Sequence, residues 1–505
     1  MSSVEARPAV VITDAPMTLD ELRDVAFGAE ITIGPGAVTR LDESRGVVNR
    51  ALERDELVYG LTTGLGHARN VRIPEEALVA MQPVIVAMHA GTMGEPLPTS
   101  VVRATMAARL NGFTRGGSGI SPAVARVLEQ MLNAGVHPVV PRLGSVGASD
   151  LGHLAMIGLV ALGFGQAEYR GQTMPGAEAM AAARIEPAAL APKDGLALIS
   201  ANSVTVGWGA VVLGSAARVI DLADAVAAVS MEAVGANPSI VEPVVAAAKA
   251  SAGQQATSAR IRGMLEGSER TGFGATVSVQ DPLGYRVVPQ VHGAMRDLLD
   301  FATQALSNEL NGMSDNPLVA IEEDRLVSNG NFHPMLPALT IDGLRPAIAH
   351  VGLLVERRNG HMFDSAVGGA AFIPVPTTID PDATGVLLRY PAAAGYTRLR
   401  QLADPVTLDV PTLDLAVEDH STNAPEAVAR TDEALGVLED LLAVELMQAC
   451  GILLRLNSRP RLGAGTGPIF DAVVELWNEL KPGTPTADIH RIVRSALVGG
   501  RIPIK

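Results

Sequence analysis

The sequence predicts a mainly α fold, a long central helix bundle preceded by a smaller, loop-containing N-terminal domain. Three observations carry that prediction. Of 505 residues, 48% are hydrophobic and 18% charged, enough apolar material for a large ordered core. Aromatic residues are only 3%, so Ala, Leu, Val, Ile and Met must fill that core, which suits closely packed helices better than a β-sandwich. Beyond residue 200 the chain carries alanine-rich stretches with helical spacing, several longer than the ~10–14 residues of an average globular helix.

Along the chain, the β-branched pair Val10–Val11 and the run at 31–33 read as short strands. Helical periodicity starts near Leu41 and runs from 74 to 111, where Leu78, Met81, Val84, Ile85 and Met88 recur at three- and four-residue spacing and read as a core face. A helix is expected over 121–134, with Ser121 as N-cap, Pro122 at its first position and Gly135 ending it. Segments 202–234, 238–265, 289–310, 342–359 and 426–456 read as long helices, and 368–384 and 404–411 as loops. A boundary near 200 divides the N-terminal domain, 1–200, from the helix bundle, 201–505.

The net charge of −15 argues against a nucleic-acid or polybasic membrane partner. Cys450, the single cysteine, lies in an apolar run and reads as a buried structural thiol, which excludes a disulfide framework. No histidine shows metal-ligand spacing, so no metal is expected. The N-terminus has no apolar targeting segment, and the most apolar stretch, 154–164, is too short to span a bilayer; a cytoplasmic protein is expected.

Four segments depart from what packing selects. The first, Tyr59-Gly60-Leu61-Thr62-Thr63-Gly64-Leu65-Gly66, is a shaped loop carrying one of five tyrosines, a candidate proton-transfer group or a structural ring at a core edge. The second, 141–151, places glycines among small residues for tight turns and close ligand approach; it lacks the Gly-Lys-Ser/Thr ending of a phosphate loop. The third pairs Gln280-Asp281-Pro282-Leu283-Gly284-Tyr285-Arg286 with Ser314-Asp315-Asn316-Pro317, an arginine and amides suited to clamping a carboxylate; alone, Arg286 reads equally as a surface ion-pair partner. The fourth is the polar turn Ser328-Asn329-Gly330-Asn331-Phe332-His333. His89 sits on the apolar face beside Met88 and reads locally as a core histidine.

In this order the segments resemble the aromatic amino acid ammonia-lyase family: histidine, phenylalanine and tyrosine ammonia-lyases and related aminomutases. LNAGVHPVVPRLGSVGAS over 132–149 follows the family wording most closely, supported by YGLTTGLG, QDPLGYR, ELNGMSDNPLV, SNGNFH and the ERR at 356–358. The resemblance implies the histidine/phenylalanine ammonia-lyase-like fold, related to the fumarase/aspartase superfold. It also implies a homotetramer with active sites shared between subunits, and elimination of an amine and a β-proton from a small-molecule α-amino acid to give a trans-2-enoate. It assigns Tyr59 as the base on the β-carbon, Arg286 and Asn316 to the substrate carboxylate, His89 to the substrate ring and Phe332 to a place beside the site.

The departures from the family pattern are concentrated on its prosthetic group. Members cyclise an internal Ala-Ser-Gly, usually followed by Asp-Leu, into a methylidene-imidazolone (MIO). Here the hairpin over 144–152 reads Ala148-Ser149-Asp150-Leu151, as though the glycine were deleted. Ring closure across so tight a turn suits glycine, whereas aspartate brings a Cβ. The family asparagine that contacts MIO falls at Ser200, with Asn202 close by, and the tyrosine of Gln-Asp-x-Tyr falls at Leu283, beside Gln280. No MIO is therefore expected; if present, it would form from Ala148, Ser149 and Asp150.

Chemistry without that electrophile needs a substrate with a good leaving group and an acidified β-position, the logic of ergothionase-type lyases that release trimethylamine from a histidine betaine. His89 or His153 would then meet a polar ring, and Phe332, Asp150 and Glu426 would wall a cationic trimethylammonium. The alternatives are a conventional MIO-dependent lyase and an inactive paralogue that binds or assembles.

Overall fold

The computed structural model describes residues 8–271, 276–368, 386–408, 410–456, 458 and 460–504. It is mainly helical, with a few short strand pairs. The chain divides into two compact units that are discontinuous in sequence: residues 1–214, 302–341 and 405–429 form the first, and 215–301, 342–404 and 430–505 the second. The change near residue 200 is thus one of composition. Four of the five unit boundaries fall inside the long helices Ser203–Val234, Val288–Leu310, Met335–Gly368 and Ala424–Leu454 and the fifth lies at 404/405; Asn316 belongs with Tyr59 in the first unit and Arg286 lies in the second.

In the first unit, Val10–Ile12 and Ile31–Ile33 pair in parallel, as the β-branched runs suggest. The helix expected from 121 is Pro122–Ala134, and Gly135 ends it at φ 76°, a left-handed position that glycine adopts without a Cβ penalty. Ser121 does not cap that helix with its side chain; its hydroxyl donates to Asp194 at 2.7 Å instead.

The continuous periodicity over 74–111 is broken in space. Helix Met81–His89 stops before Gly91, strand Met93–Pro96 follows, and helix Thr99–Thr114 begins after Pro98, because the intervening glycines and prolines cannot continue a helical ladder. Only one side of Met81–His89 is core: Ile85 and Val86 pack against Leu151–Ala161 and Asp194–Ile199, whereas Val84 and Met88 are exposed, Met88 at 79%. Its methionine end is therefore surface, contrary to the core reading of the stripe.

In the second unit the stretch 238–265 is likewise split, into a 3-10 turn and helices Pro243–Ala247 and Ala252–Met264, the break lying at Pro243 and at the Ser251 N-cap. Cys450 is fully buried, and burial pushes its thiol well above the ordinary range. The loop expected at 368–384 lies, from 369 onward, outside the described residues.

Two helical stretches among the described residues, Asp194–Val234 and Met335–Asp364, are long and apolar enough to cross a membrane by length and composition; 94% and 67% of their apolar windows are buried within the protein, as packed core helices require.

Candidate functional site

The first unit builds its candidate site on one rigid core. Val47, Val48 and Ala51 of helix Pro35–Glu53 pack with Val58, Leu61 and Val319. This cluster holds the start of the Tyr59 loop and the strand that follows Asn316. The loop then turns on its own hydrogen bonds: the Val58 carbonyl accepts from the amides of Leu61, Thr62 and Thr63, and Thr62 Oγ1 donates to the Glu56 carbonyl at 2.7 Å. Gly60 occupies φ 64°, and a Cβ there would strike Leu196 and Leu65, so the residue after Tyr59 must be glycine.

Tyr59 itself is half-buried, and Gly66 N–H donates to its hydroxyl oxygen at 3.2 Å. Burial raises the phenol above its ordinary value of 10.0, with Glu418 and Asp414 adding to the rise; the Gly66 amide and Arg69 oppose it.

The hairpin over 145–150 is held on every side. Ser145 Oγ accepts from Gly147 N–H at 2.9 Å and donates to the Ser149 carbonyl at 2.8 Å. Gly147 has φ 78° and sits so close to Thr422 and the Asn423–Ala424 backbone that a Cβ has no room. Ser149 adopts φ 61°, and its N–H donates to the Phe332 carbonyl at 3.0 Å. Asp150 N–H donates to the Ala201 carbonyl at 2.7 Å.

The Asp150 carboxylate is fully buried and accepts from Thr205 N–H at 2.8 Å. Thr205 lies in the first turn of Ser203–Val234, so Asp150 supplies from outside the helix the oxygen that an N-cap side chain ordinarily provides. Burial raises this carboxyl; His153 and the bonds from Thr205 oppose the rise. Asp150 is therefore not part of an acidic wall for a cation: its carboxylate is bound to Thr205 and does not line the adjacent cavity.

That cavity, about 540 Å³, is lined among others by His89, Arg142, Ser149, Glu418, Asn423 and Glu426. His89 is fixed by a 2.7 Å contact from Nδ1 to the Ile85 carbonyl one turn back. Glu426 occupies the first turn of Ala424–Leu454, where the helix dipole favours an anion. Arg142 extends over the Trp208 ring at 5.1 Å and donates to the Ala429 carbonyl at 3.1 Å.

The sequence reading missed Glu418. It lines the cavity, and burial, then Asp414, pushes its carboxyl up while His89 opposes. Its only sequence signal was the acidic pair Glu418–Asp419 after the apolar residues Leu415–Ala416–Val417, a pattern that reads equally as a solvated turn. The backbone before it is strained: Asp414, Leu415 and Ala416 have φ of 44°, 54° and 64°, left-handed values that cost ~1 kcal/mol or more each. Asp414 secures this turn to the Tyr59 loop, accepting from His67 N–H at 2.9 Å and contacting His67 Nδ1 at 2.7 Å.

The remaining expected residues are distributed as follows. Phe332 meets the hairpin through its carbonyl. The Asn316 side-chain oxygen accepts from Asn329 N–H at 3.1 Å, bracing the same turn. His153 is fully buried with Nε2 2.9 Å from the Arg142 carbonyl, which makes it a support beneath the hairpin and not a substrate contact. Asn202 donates to Glu309 at 2.7 Å; burial and the nearby Asp150 raise the Glu309 carboxyl. Arg286, on the short helix Leu283–Arg286, and the exposed Gln280 belong to the second unit, so the described geometry of the first unit does not include them. No group of three or more His, Cys, Asp or Glu suited to a metal occurs among the described residues.

Known proteins match this chain over nearly its full length. The aromatic amino acid lyase family model covers residues 17–475. A histidine ammonia-lyase of Alkaliphilus metalliredigens is 35% identical over 468 residues, 92% of each chain. A probable histidine ammonia-lyase of Halobacterium salinarum is 36% identical over 513 aligned residues, 97% of each. Among solved structures, the ergothioneine-degrading ergothionase of Treponema denticola, in complex with desmethyl-ergothioneine sulfonic acid, superposes with a TM-score of 0.90 at 25% identity, covering 98% of this chain and 99% of that one. The histidine ammonia-lyase of Trypanosoma cruzi gives 0.87 at 26%, covering 98% and 94%. With its helical architecture and its stitched hairpin beside an acidic cavity, the chain belongs to the aromatic amino acid lyase family and is a carbon–nitrogen lyase of the ammonia-lyase type.

Proposed function

We propose that this enzyme eliminates an amine from a histidine-like or aromatic α-amino acid or betaine, giving a trans-2-enoate, and that it does so without MIO. The observation that carries this reading is the state of Asp150. Its amide nitrogen, which would have to attack the Ala148 carbonyl, donates to Ala201, and its carboxylate is committed to Thr205. Closing the ring would break both bonds and carry a buried acid into a turn that suits glycine.

In the proposed reaction Tyr59 takes the β-proton, the electron pair forms the new Cα–Cβ double bond, and the C–N bond breaks as the amine leaves. A quaternary ammonium leaves as neutral trimethylamine and so needs no external electrophile. Glu418 and Glu426 give the cavity the anionic character that such a cation requires, and His89 meets a polar ring. Arg286 and Asn316 hold the carboxylate in a cytoplasmic homotetramer whose sites are shared; the exposed Val84, Met88, Met93 and Leu143 are apolar surface of the kind that subunit contacts cover.

A second reading, a conventional MIO-dependent histidine ammonia-lyase, is favoured by the named activity of the relatives that are 35–36% identical. The two separate cleanly. The intact mass of the purified chain equals the sequence mass under the first reading and is lower by two waters under the second, which also adds ultraviolet difference absorbance. A screen of histidine, aromatic amino acids and their trimethylated betaines should show enoate absorbance with release of trimethylamine. Ammonia from histidine or tyrosine would overturn the first reading. Arg286→Ala should mainly raise KM, as expected for a contact that is equally strong in ground and transition states.

A further inference from the structure

Three loops meet at the hairpin, and the contacts between them form a closed ring. The hairpin joins the 328–333 turn through Ser149 N–H and the Phe332 carbonyl. It joins the segment 410–423 through Asn423 N–H to the Val146 carbonyl at 2.7 Å and Thr422 Oγ1 to the Gly147 carbonyl at 2.7 Å. The third edge, between turn and segment, is made by two imidazoles: His333 Nε2 lies 2.7 Å from His420 Nδ1, with ring centroids 4.9 Å apart.

We infer that His333 and His420 are positioning residues, a proton-sharing imidazole pair that closes the loop ring and so sets the place of the hairpin and of Glu418. Glu418 lies between two anchors of its segment, Asp414 on His67 and His420 on His333, and the strained residues 414–416 would relax if the second anchor were released. Neither imidazole is part of the cavity lining, so the pair acts through the segments that carry it.

The pair holds only while it carries no more than one proton beyond the neutral state. With at least one ring nitrogen unprotonated, an N–H of one ring donates to the lone pair of the other; with both rings cationic, two donors face each other and repel. His420 is the titratable group that faces His333, and on its segment the nearest carboxylates in sequence are Asp419 and Glu418, the latter set against His89 and Asp414. Burial, then His420, holds the His333 imidazole below its ordinary 6.5. A lowered value in the closed ring means that closure is fully favoured above the ordinary histidine range and is lost as pH falls below it.

This inference rests on the proposed function only in taking the cavity as the reaction site, and its test needs no substrate. Hydrogen–deuterium exchange of the full-length protein, corrected for intrinsic rates, is followed in peptides covering 144–150 and 410–423 at about pH 7.5 and about pH 5.5, on either side of the histidine range. Wild type should exchange there at least about tenfold faster at the acid pH. His420→Asn, whose amide oxygen accepts from His333 without titrating, should stay slow at both values, and His420→Phe should be fast at both. Equal protection of wild type at the two pH values, or wild-type protection in His420→Phe, would overturn the inference. If no compound is turned over while the exchange pattern holds, the catalytic reading fails and the positioning pair stands.

Discussion

With Tyr59 as the proposed base, Tyr59→Phe is expected to lower kcat by about 10²–10⁴-fold, the usual loss when a general base is removed from a proton abstraction. The substitution keeps the half-buried ring and deletes only the oxygen that accepts from Gly66, so far-ultraviolet circular dichroism should be unchanged while turnover of the compound identified in the screen collapses. The pH dependence follows from the electrostatics of the loop. Burial, Glu418 and Asp414 hold the phenol above its ordinary 10.0, so the phenolate is a minor form at neutral pH and its fraction grows as pH rises. Wild-type kcat/KM should therefore climb through the alkaline range, and the profile of the phenylalanine variant should be flat there. A cationic substrate against the same carboxylates favours the phenolate, so the kcat profile, which reports the enzyme–substrate complex, should rise at lower pH than that of kcat/KM. Full activity of the phenylalanine variant would remove Tyr59 from the reaction.

The second large effect is on stability. Arg109 and Asp315 are each 2% exposed and form a two-point ion pair, with Nη2 to Oδ1 at 2.7 Å and Nη1 to Oδ2 at 3.3 Å. Arg109 also donates to the Ala197 carbonyl and lies 4.3 Å from the centre of the Phe113 ring. Alongside, the buried Lys193 amine is pushed down to about 8 by desolvation, with Asp315 resisting the fall. Asp315→Ala leaves the guanidinium uncompensated in the interior and removes the charge that supports Lys193; it should lower the unfolding free energy by about 3–5 kcal/mol in chemical denaturation. The Asp315 carbonyl accepts from Asn329 at 3.0 Å, so the damage reaches the Asn316 turn as well. A loss below about 1 kcal/mol would place the pair among the weak surface type.

Much of the fold was legible because its determinants are local. The Pro122–Ala134 helix, its Gly135 stop and the two short strands follow from residue types acting on their own backbone. Unit boundaries were not legible, since Leu318–Ala320 joins the first unit by packing Val319 on Val47 and Val58, a contact across more than 250 residues that no periodicity encodes. The same division applies at the site. The Tyr59 loop and the hairpin stood out as segments unsuited to plain packing and His89 only through the family resemblance, whereas Glu418 acquired its place from a strained turn pinned by His67, and His153 and Asp150 turned inward to partners distant in sequence. Side-chain direction at those positions depends on which carbonyl or helix end waits nearby, and that information is three-dimensional.

The Asp150–Thr205 contact bears on how the hairpin could be re-engineered. Adding one glycine after Ser149 would write Ala-Ser-Gly into the hairpin, yet it would also shift the acid by a residue and strip the long helix at Thr205 of its outside acceptor. Engineering an Ala-Ser-Gly triplet into this hairpin should therefore cost stability unless position 205 is changed along with it.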